Sequence, residues 1–210
     1  MTLMQTPFSI VQVLDSLRSK RKLFSSEADF QFALAWTIKE LYPRVEVRLE
    51  WIPVDYNPNI YIDIVVLDDG RLIPIELKYK TKKTDKLVDG ERFVLKNQSA
   101  QDLGRYDFLK DIQRIEFIKK HFSNFSEGYA ILLTNDPYYL VRPSASASYT
   151  QFSIADGDTK TGSLRWADGS QASLLRKGID LAGSYPIRWG KYSILDDTES
   201  VLELVVPIRK

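Results

Sequence analysis

Apolar residues recur with two different periods along this chain, and each period predicts a different element. From Phe30 to Leu41 they recur every three or four residues, which predicts an amphipathic helix. Ser26 and Asp29 form a capping-box variant at the start of that helix, with Asp in place of the usual Glu. From 45 to 51 apolar and charged residues alternate, which predicts a half-buried strand.

Two further strands are predicted beyond a loop at 53–59. They run from Ile60 to Asp68 and from Arg71 to Lys80. The dipeptide Asp69-Gly70 between them is the preferred centre of a two-residue type I′ turn. The pattern therefore predicts a tight antiparallel hairpin.

The remaining segments are less regular. We predict a loop or flexible insertion at 81–98, a helix from Ser99 to Phe122 with a capping box at Ser99 and Asp102, and strands at 129–134, 138–141 and 201–208. The order of helix, three strands, helix and strand indicates an α/β fold whose mixed central sheet is flanked by helices. We expect a single domain over 1–210, with a core at about 25–141 and a β-rich C-terminal extension at about 142–210.

Composition narrows the chemistry. The 210 residues include no cysteine and one histidine, His121, so disulfides, thiolate sites and multi-imidazole zinc sites are excluded. A bound metal would need oxygen ligands, which favours Mg²⁺ or Mn²⁺. The formal net charge of +1 neither favours nor excludes a nucleic-acid partner. Because no apolar run approaches the ~20 residues of a membrane span and no signal peptide is recognisable, we expect a soluble, cytoplasmic protein with no membrane partner.

The predicted hairpin brings two carboxylates and an amine together. If Asp68 pairs with Arg71, then Asp63 lies opposite Glu76, and Lys78 projects from the same sheet face. The other face carries apolar residues, namely Ile62, Ile64, Ile75 and Leu77. Opposed carboxylates repel, but a divalent cation between them turns repulsion into coordination, and a nearby lysine can serve an attacking water. An ordinary hairpin with charges on its wet side is the alternative interpretation.

The arrangement resembles the signature of the PD-(D/E)XK, or restriction-endonuclease-like, nuclease superfamily. The resemblance rests on Glu27 at the start of the first predicted helix, Asp63 in a strand, and Glu76-Leu77-Lys78 at the end of the next strand. It covers about 25–141, although Ile62 stands where the signature has proline. It implies a restriction-endonuclease-like core in which Glu27, Asp63 and Glu76 hold Mg²⁺ or Mn²⁺ and Lys78 serves the water. Glu27 has an alternative explanation, since an acid in the first turn is favourable against the helix dipole.

Candidate nucleic-acid contacts lie downstream of the hairpin. Three are near the second long helix, Gln98, Gln101 and Arg105, and three are in the basic segment that follows the hairpin, Lys82, Lys83 and Lys86. A solvated helix face and a solvated loop explain them equally well. The aromatic residues Trp166, Tyr185, Trp189 and Tyr192 are better explained by core packing than by base stacking, and His121 by a helix end.

The function we expect from the sequence is metal-dependent hydrolysis of phosphodiester bonds in nucleic acid, with DNA as the first candidate. Cleavage of both strands of a duplex would favour a homodimer. The alternatives are a catalytically idle nuclease-like module that binds nucleic acid or a protein, and an α/β ligand-binding protein in which the opposed carboxylates are coincidental.

Overall fold

The computed structural model describes residues 7–53 and 60–210, so most of the loop predicted at 53–59 lies outside the described residues. A six-stranded mixed sheet forms the centre of the molecule. In spatial order its strands are β1 (Glu46–Trp51), β2 (Ile62–Asp68), β3 (Arg71–Lys80), β6 (Glu127–Thr134), β10 (Ser200–Arg209) and β9 (Trp189–Ile194). The β3–β6 pair is parallel and the other pairs are antiparallel. The predicted α/β class and mixed central sheet are confirmed.

Helices cover both faces of the sheet. α1 (Ile10–Lys20) and α2 (Glu27–Leu41) pack on one face, where they share a core with Ile75 and Leu77 of β3. α3 (Gln101–His121) packs on the opposite face, against Val65 of β2 and Leu132 of β6. The sequence analysis missed α1, although Ile10, Val13, Leu14 and Leu17 recur at helical spacing and Ser9 caps the helix.

The β2–β3 hairpin has the predicted turn and register. Asp69 and Gly70 have φ angles of 49° and 78°, the left-handed conformation that a type I′ turn requires. Asp68 pairs with Arg71, and the ladder continues in the same register to Ile64 and Ile75. One detail of the predicted faces is wrong: Ile62 packs into the core on the α3 side of the sheet, not with Ile64.

Three local predictions are wrong. The segment 81–98 contains a hairpin, β4 (Thr84–Val88) and β5 (Glu91–Leu95), whose Asp89-Gly90 turn repeats the signal used for the first hairpin. Ala100, not Ser99, is the N-cap of α3, and within 7–53 and 60–210 no side chain makes a capping hydrogen bond to that helix. The strand expected at 138–141 is a 3₁₀ turn over Pro137–Leu140, with the Asp136 side chain accepting a hydrogen bond from the Tyr138 N–H.

The C-terminal segment completes the central sheet. The strand predicted at 201–208 is confirmed as β10, which lies between β6 and β9 and pairs with β6 from Leu202 to Arg209. The rest of its regular structure is a 3₁₀ turn at Thr150–Phe152 and a separate hairpin of β7 (Thr159–Leu164) and β8 (Ile179–Pro186), with the short α4 (Gln171–Leu175) between its strands. No helix in residues 7–53 and 60–210 is long and apolar enough to cross a membrane.

Candidate active site

Backbone pairing between β2 and β3 ends before Asp63, where a side-chain hydrogen bond replaces it. The last paired residues are Ile64 and Ile75, and beyond them the backbone N–H of Leu77 donates to Asp63 Oδ2 at 2.6 Å. The strands therefore fork here, and a carboxylate satisfies a donor that strand pairing leaves unused. The Asp63 carboxylate is therefore held against β3 by a backbone hydrogen bond, and Asp63 and Glu76 are not a paired position of the ladder.

Glu27 reaches the same fork from the opposite layer. It is the first residue of α2, after the N-cap Ser26, and its Oε2 accepts a hydrogen bond from the Tyr79 N–H at 2.7 Å. Leu77 and Tyr79 are two residues apart on β3, so Asp63 and Glu27 bond successive amides on one edge of the strand. The structure thus brings Glu27 next to β3, which the helix-dipole explanation alone does not require.

Gln31, one turn after Glu27 on α2, makes hydrogen bonds to β1 and β2 next to the fork. Its Nε2 donates to the backbone carbonyl of Asp63 at 2.8 Å and to Glu50 Oε1 at 2.7 Å. Glu50 has a φ of 48°, an unusual conformation for a residue other than glycine, and this kink falls in β1 between the paired residues Leu49 and Trp51. The sequence analysis did not identify Gln31, whose role shows only once the layers are assembled.

Glu76 is the most deeply buried member of the site, with 0% of its surface exposed. Its Oε1 accepts a hydrogen bond from Arg114 Nη1 of α3 at 2.7 Å. Its Oε2 is also buried but has no hydrogen-bond partner among the described residues. A buried carboxylate oxygen without a partner is costly, and a proton or a cation would remove that cost.

Lys78 lies beside Glu76 on β3 and pairs with an acid that the sequence analysis did not identify. Its Nζ is 2.7 Å from Asp111 Oδ2, and Asp111 is 1% exposed. Arg114 Nη2 lies 3.1 Å from the other oxygen of Asp111. Arg114 therefore bridges Asp111 and Glu76, and the chain of contacts runs from Lys78 through Asp111 and Arg114 to Glu76.

The electrostatics of the site follow from burial and from its excess of acids. Burial, then the carboxylates of Asp111 and Asp63, raise the pKa of Glu76 well above its ordinary value, and Arg114 only partly opposes them. Burial also raises the pKa of Asp111, against the influence of Lys78 and Arg114. Burial alone would lower the pKa of Lys78, but Asp111, Glu27 and Asp63 outweigh it and raise that pKa.

A simple charge count tests whether a divalent cation suits this arrangement. Four carboxylates (Glu27, Asp63, Glu76 and Asp111) against two cations (Lys78 and Arg114) leave a formal charge of −2. The described residues contain no group of three or more acidic or histidine side chains already spaced as metal ligands. Mg²⁺, however, commonly takes only one or two carboxylates, with water and phosphate oxygens as its other ligands. Asp63 and Glu76, with the unpartnered Oε2, fit that requirement.

One predicted nucleic-acid contact is not available at the surface. Arg105 is 0% exposed, and its Nη2 donates to the backbone carbonyls of Tyr138 and Val141 at 2.7 and 2.9 Å. The expectation that Arg105 contacts phosphate is therefore corrected: its guanidinium supports the turn that follows β6.

The other helix-associated candidates make local contacts. Gln98 Oε1 accepts a hydrogen bond from the Thr81 N–H at 3.2 Å, and Gln101 Nε2 donates to Asp136 Oδ2 at 3.0 Å. Gln98 links the end of β3 to the segment before α3, and Gln101 links the start of α3 to the segment after β6. Neither contact brings its side chain into the group formed by Asp63, Glu76 and Lys78.

The three candidate lysines occupy different environments. Lys82 and Lys83 are exposed and line a polar cavity of about 460 Å³ together with Asn135, Thr198 and Glu199. Lys86 forms ion pairs with Asp196 and Glu199, so its charge is already compensated. Of the three, Lys82 and Lys83 stay candidates for contacts with a nucleic-acid backbone.

The remaining candidates have structural roles. Trp166, Tyr185 and Tyr192 are buried, and Trp189 is partly buried with its Nε1 donating to the Ile154 carbonyl at 2.7 Å, so the core-packing interpretation is confirmed. His121 is the exposed last residue of α3, as expected for a helix end.

Besides Gln31, sequence reasoning missed Asp111 and Arg114. A signal for Asp111 does exist, because it follows Phe108 by three residues and precedes Ile115 by four, on the apolar stripe of α3. A charged residue on the buried face of a helix needs a partner, and Lys78 is the partner.

No protein-family model matches this sequence, and comparison with curated proteins and with solved structures gives no significant match.

Proposed function

We propose that this protein is a Mg²⁺- or Mn²⁺-dependent nuclease with a PD-(D/E)XK-type site on a restriction-endonuclease-like core. The observation that supports the proposal is that Asp63 and Glu27 both accept hydrogen bonds from amides of β3, the strand that carries Glu76 and Lys78. Asp63 also acts electrostatically on both of those side chains. Carboxylates close together repel, and a divalent cation bound between them would remove that repulsion. Nucleic acid, with DNA first, is the substrate class.

The chain's own residues have separate tasks in such a site. Asp63 and Glu76 would hold the divalent cation, and Glu27 would assist it or orient a water molecule. When bound, the cation would polarise the scissile phosphate and neutralise developing negative charge. Lys78, kept as an ammonium by its acidic neighbours, would orient the attacking water and stabilise charge in the transition state.

A second candidate function is favoured by the ion pairs that already exist. Lys78 is paired with Asp111, and Glu76 with Arg114, so each has a partner in the absence of any cation. A module that binds nucleic acid without cleaving it could keep these pairs permanently. Lys82 and Lys83 would then supply the contacts to the phosphate backbone.

The deciding experiment compares wild type with Lys78→Ala on linear, circular and single-stranded DNA, with an RNA control, in Mg²⁺, Mn²⁺ and EDTA. Lys20→Ala is the matched control, since Lys20 is an exposed lysine that pairs with Glu40 away from the site. We expect cleavage by wild type and by the control in either metal, none in EDTA, and a loss of at least ~100-fold in Lys78→Ala.

The other outcomes separate the alternatives. DNA binding without cleavage by wild type would favour the binding module. Cleavage that survives in EDTA would contradict the metal requirement. If Lys78→Ala cleaves as fast as wild type, the proposed site is wrong even though the protein is a nuclease.

A further inference from the structure

α3 contributes a pair of charged residues to the site, although no part of the nuclease signature lies on this helix. Asp111 and Arg114 are three residues apart and face β3, and their own contact measures 3.1 Å. Asp111 meets Lys78 and Arg114 meets Glu76, at 2.7 Å each. The pair therefore touches both the amine and the buried carboxylate of the proposed site.

We propose that Asp111 and Arg114 are positioning residues, which fix Lys78 and Glu76 in the arrangement needed to bind the divalent cation and orient the attacking water. This inference rests on the proposed nuclease function and adds to it two residues on a different element. Neither residue needs to touch the substrate, because each acts through a residue on β3.

The geometry at Glu76 explains the task of Arg114. With Oε1 bonded to Arg114, the carboxylate cannot rotate freely, and Oε2 is the oxygen left for another ligand. Residues that bond the far side of a metal-binding carboxylate orient it in this way, and their loss typically reduces metal affinity or activity about 10–100-fold. Arg114 is only partly buried, with 26% of its side chain exposed, so Arg114→Met leaves a small defect in packing. The main cost of that substitution is that Glu76 Oε1 loses its partner, which folding by circular dichroism should check before binding is measured.

The geometry at Lys78 explains the task of Asp111. A lysine side chain has four rotatable bonds, and Lys78 is held at its tip by Asp111 and by the carbonyl of Leu77 at 3.0 Å. Without Asp111 the amine would lose the partner that sets its direction. An amine that is present but misdirected lowers the rate of the chemical step rather than the affinity for substrate.

The test of Arg114 measures Mn²⁺ binding by calorimetry, which needs no cleavage. We expect Arg114→Met to weaken Mn²⁺ binding about 10–100-fold and Arg114→Lys to recover part of the loss. Lys110→Met is the matched control, because it removes an exposed cation from the same helix, and it should bind as wild type does. Equal Mn²⁺ affinity in Arg114→Met and wild type would overturn the role of Arg114.

The test of Asp111 measures kcat and KM for DNA cleavage in Mg²⁺. We expect Asp111→Asn to lower kcat about 10–100-fold with KM nearly unchanged, and Asp111→Glu to recover part of the rate. Asp107→Asn, which changes a partly exposed acid one turn earlier on α3, should retain the wild-type rate. A change confined to KM, or no change at all, would overturn the role of Asp111.

A folding control keeps the result interpretable. If Asp111→Asn does not fold, the double variant Lys78→Met with Asp111→Leu should restore folding, because replacing a buried ion pair with apolar side chains is often neutral. Failure of that double variant to fold would show that the contact of Asp111 with Arg114 is itself required for folding, and would overturn a purely positioning role for Asp111. A wild type that neither binds Mn²⁺ nor cleaves DNA would overturn the proposed function and this inference with it, whereas unaffected α3 variants of an active wild type would overturn this inference alone.

Discussion

Asp63 has two roles at the scale of a single residue, as a proposed metal ligand and as the acceptor for the Leu77 amide. We expect Asp63→Ala to lower the free energy of unfolding by about 1–3 kcal/mol, because it leaves a buried N–H without a partner. Asp63→Asn keeps an acceptor oxygen and should lose much less. Urea unfolding of both variants in EDTA checks this, and equal losses would show that the Leu77 bond contributes little.

The raised carboxyl pKa values give a pH dependence of definite sign. Burial raises the pKa of Asp111 to about 6, above its value in the unfolded chain, so the folded state binds the proton more tightly. The stabilisation from this group is complete below about pH 4 and is lost as the pH rises through the folded value. Between these limits the loss should exceed about 1 kcal/mol.

Unfolding measured in EDTA at pH 4.5, 6 and 7.5 tests that dependence. Asp111→Asn cannot titrate at this position, so its stability should fall less steeply over the same range. A wild type and variant with parallel pH curves would contradict the assignment to Asp111.

At the scale of elements, the approach of α3 to the sheet depends on Gly128 in β6. A Cβ at this position would collide with the Ile115 side chain and lie 3.1 Å from the backbone oxygen of Pro74. Ile115 directly follows Arg114, so a displacement of α3 here would be felt at the site. The close approach of α3 to β6 at Gly128 therefore helps to keep Arg114 within reach of Glu76.

We expect Gly128→Ala to lower the free energy of unfolding by about 1–3 kcal/mol through overpacking and to weaken Mn²⁺ binding as well. Urea unfolding and calorimetry on the same samples measure the two effects. Gly90→Ala is the control, since open space surrounds that position and it lies in the peripheral β4–β5 turn, so only backbone strain should result. Loss of stability without loss of Mn²⁺ affinity would show that the site tolerates movement of α3.

Turn residues and apolar periodicity in the sequence predicted those elements that short-range interactions determine, such as the β2–β3 hairpin and α2. The Asp69-Gly70 turn fixed the register of β2 and β3, and the periodic run in α2 placed Glu27 at a helix start. What could not be predicted comes from contacts across layers, such as Gln31 with Asp63 or Asp111 with Lys78. No spacing along the chain encodes those distances. The β4–β5 hairpin is a different kind of miss, because its Asp-Gly signal was present and the polar, lysine-rich composition obscured it.

At the scale of the whole molecule, the division into a core and an extension does not match the sheet. The predicted boundary near 141 separates β6 from its neighbour β10, and these strands pair from Leu202 to Arg209. Val201, Leu204 and Val206 of β10 are buried in the two cores. Two strands of the segment 142–210, β9 and β10, are therefore part of the central sheet, and the β7–β8 hairpin lies outside it.

We expect a truncated chain of residues 1–141 to be unfolded or aggregated, because β6 would become an exposed apolar edge strand. Circular dichroism and size-exclusion chromatography test this against the full chain. Cooperative thermal unfolding of the truncated chain would show that the first 141 residues fold alone.

The fork between β2 and β3 also affects how fast two backbone amide protons exchange with solvent. Amide protons within a sheet exchange with solvent mainly when strands separate, whereas those of Leu77 and Tyr79 are held by the side chains of Asp63 and Glu27. Their exchange rates therefore report how long these two carboxylates stay in place, independently of global unfolding. Slower exchange at both amides on adding Mg²⁺ would record the ordering of the site before any substrate arrives.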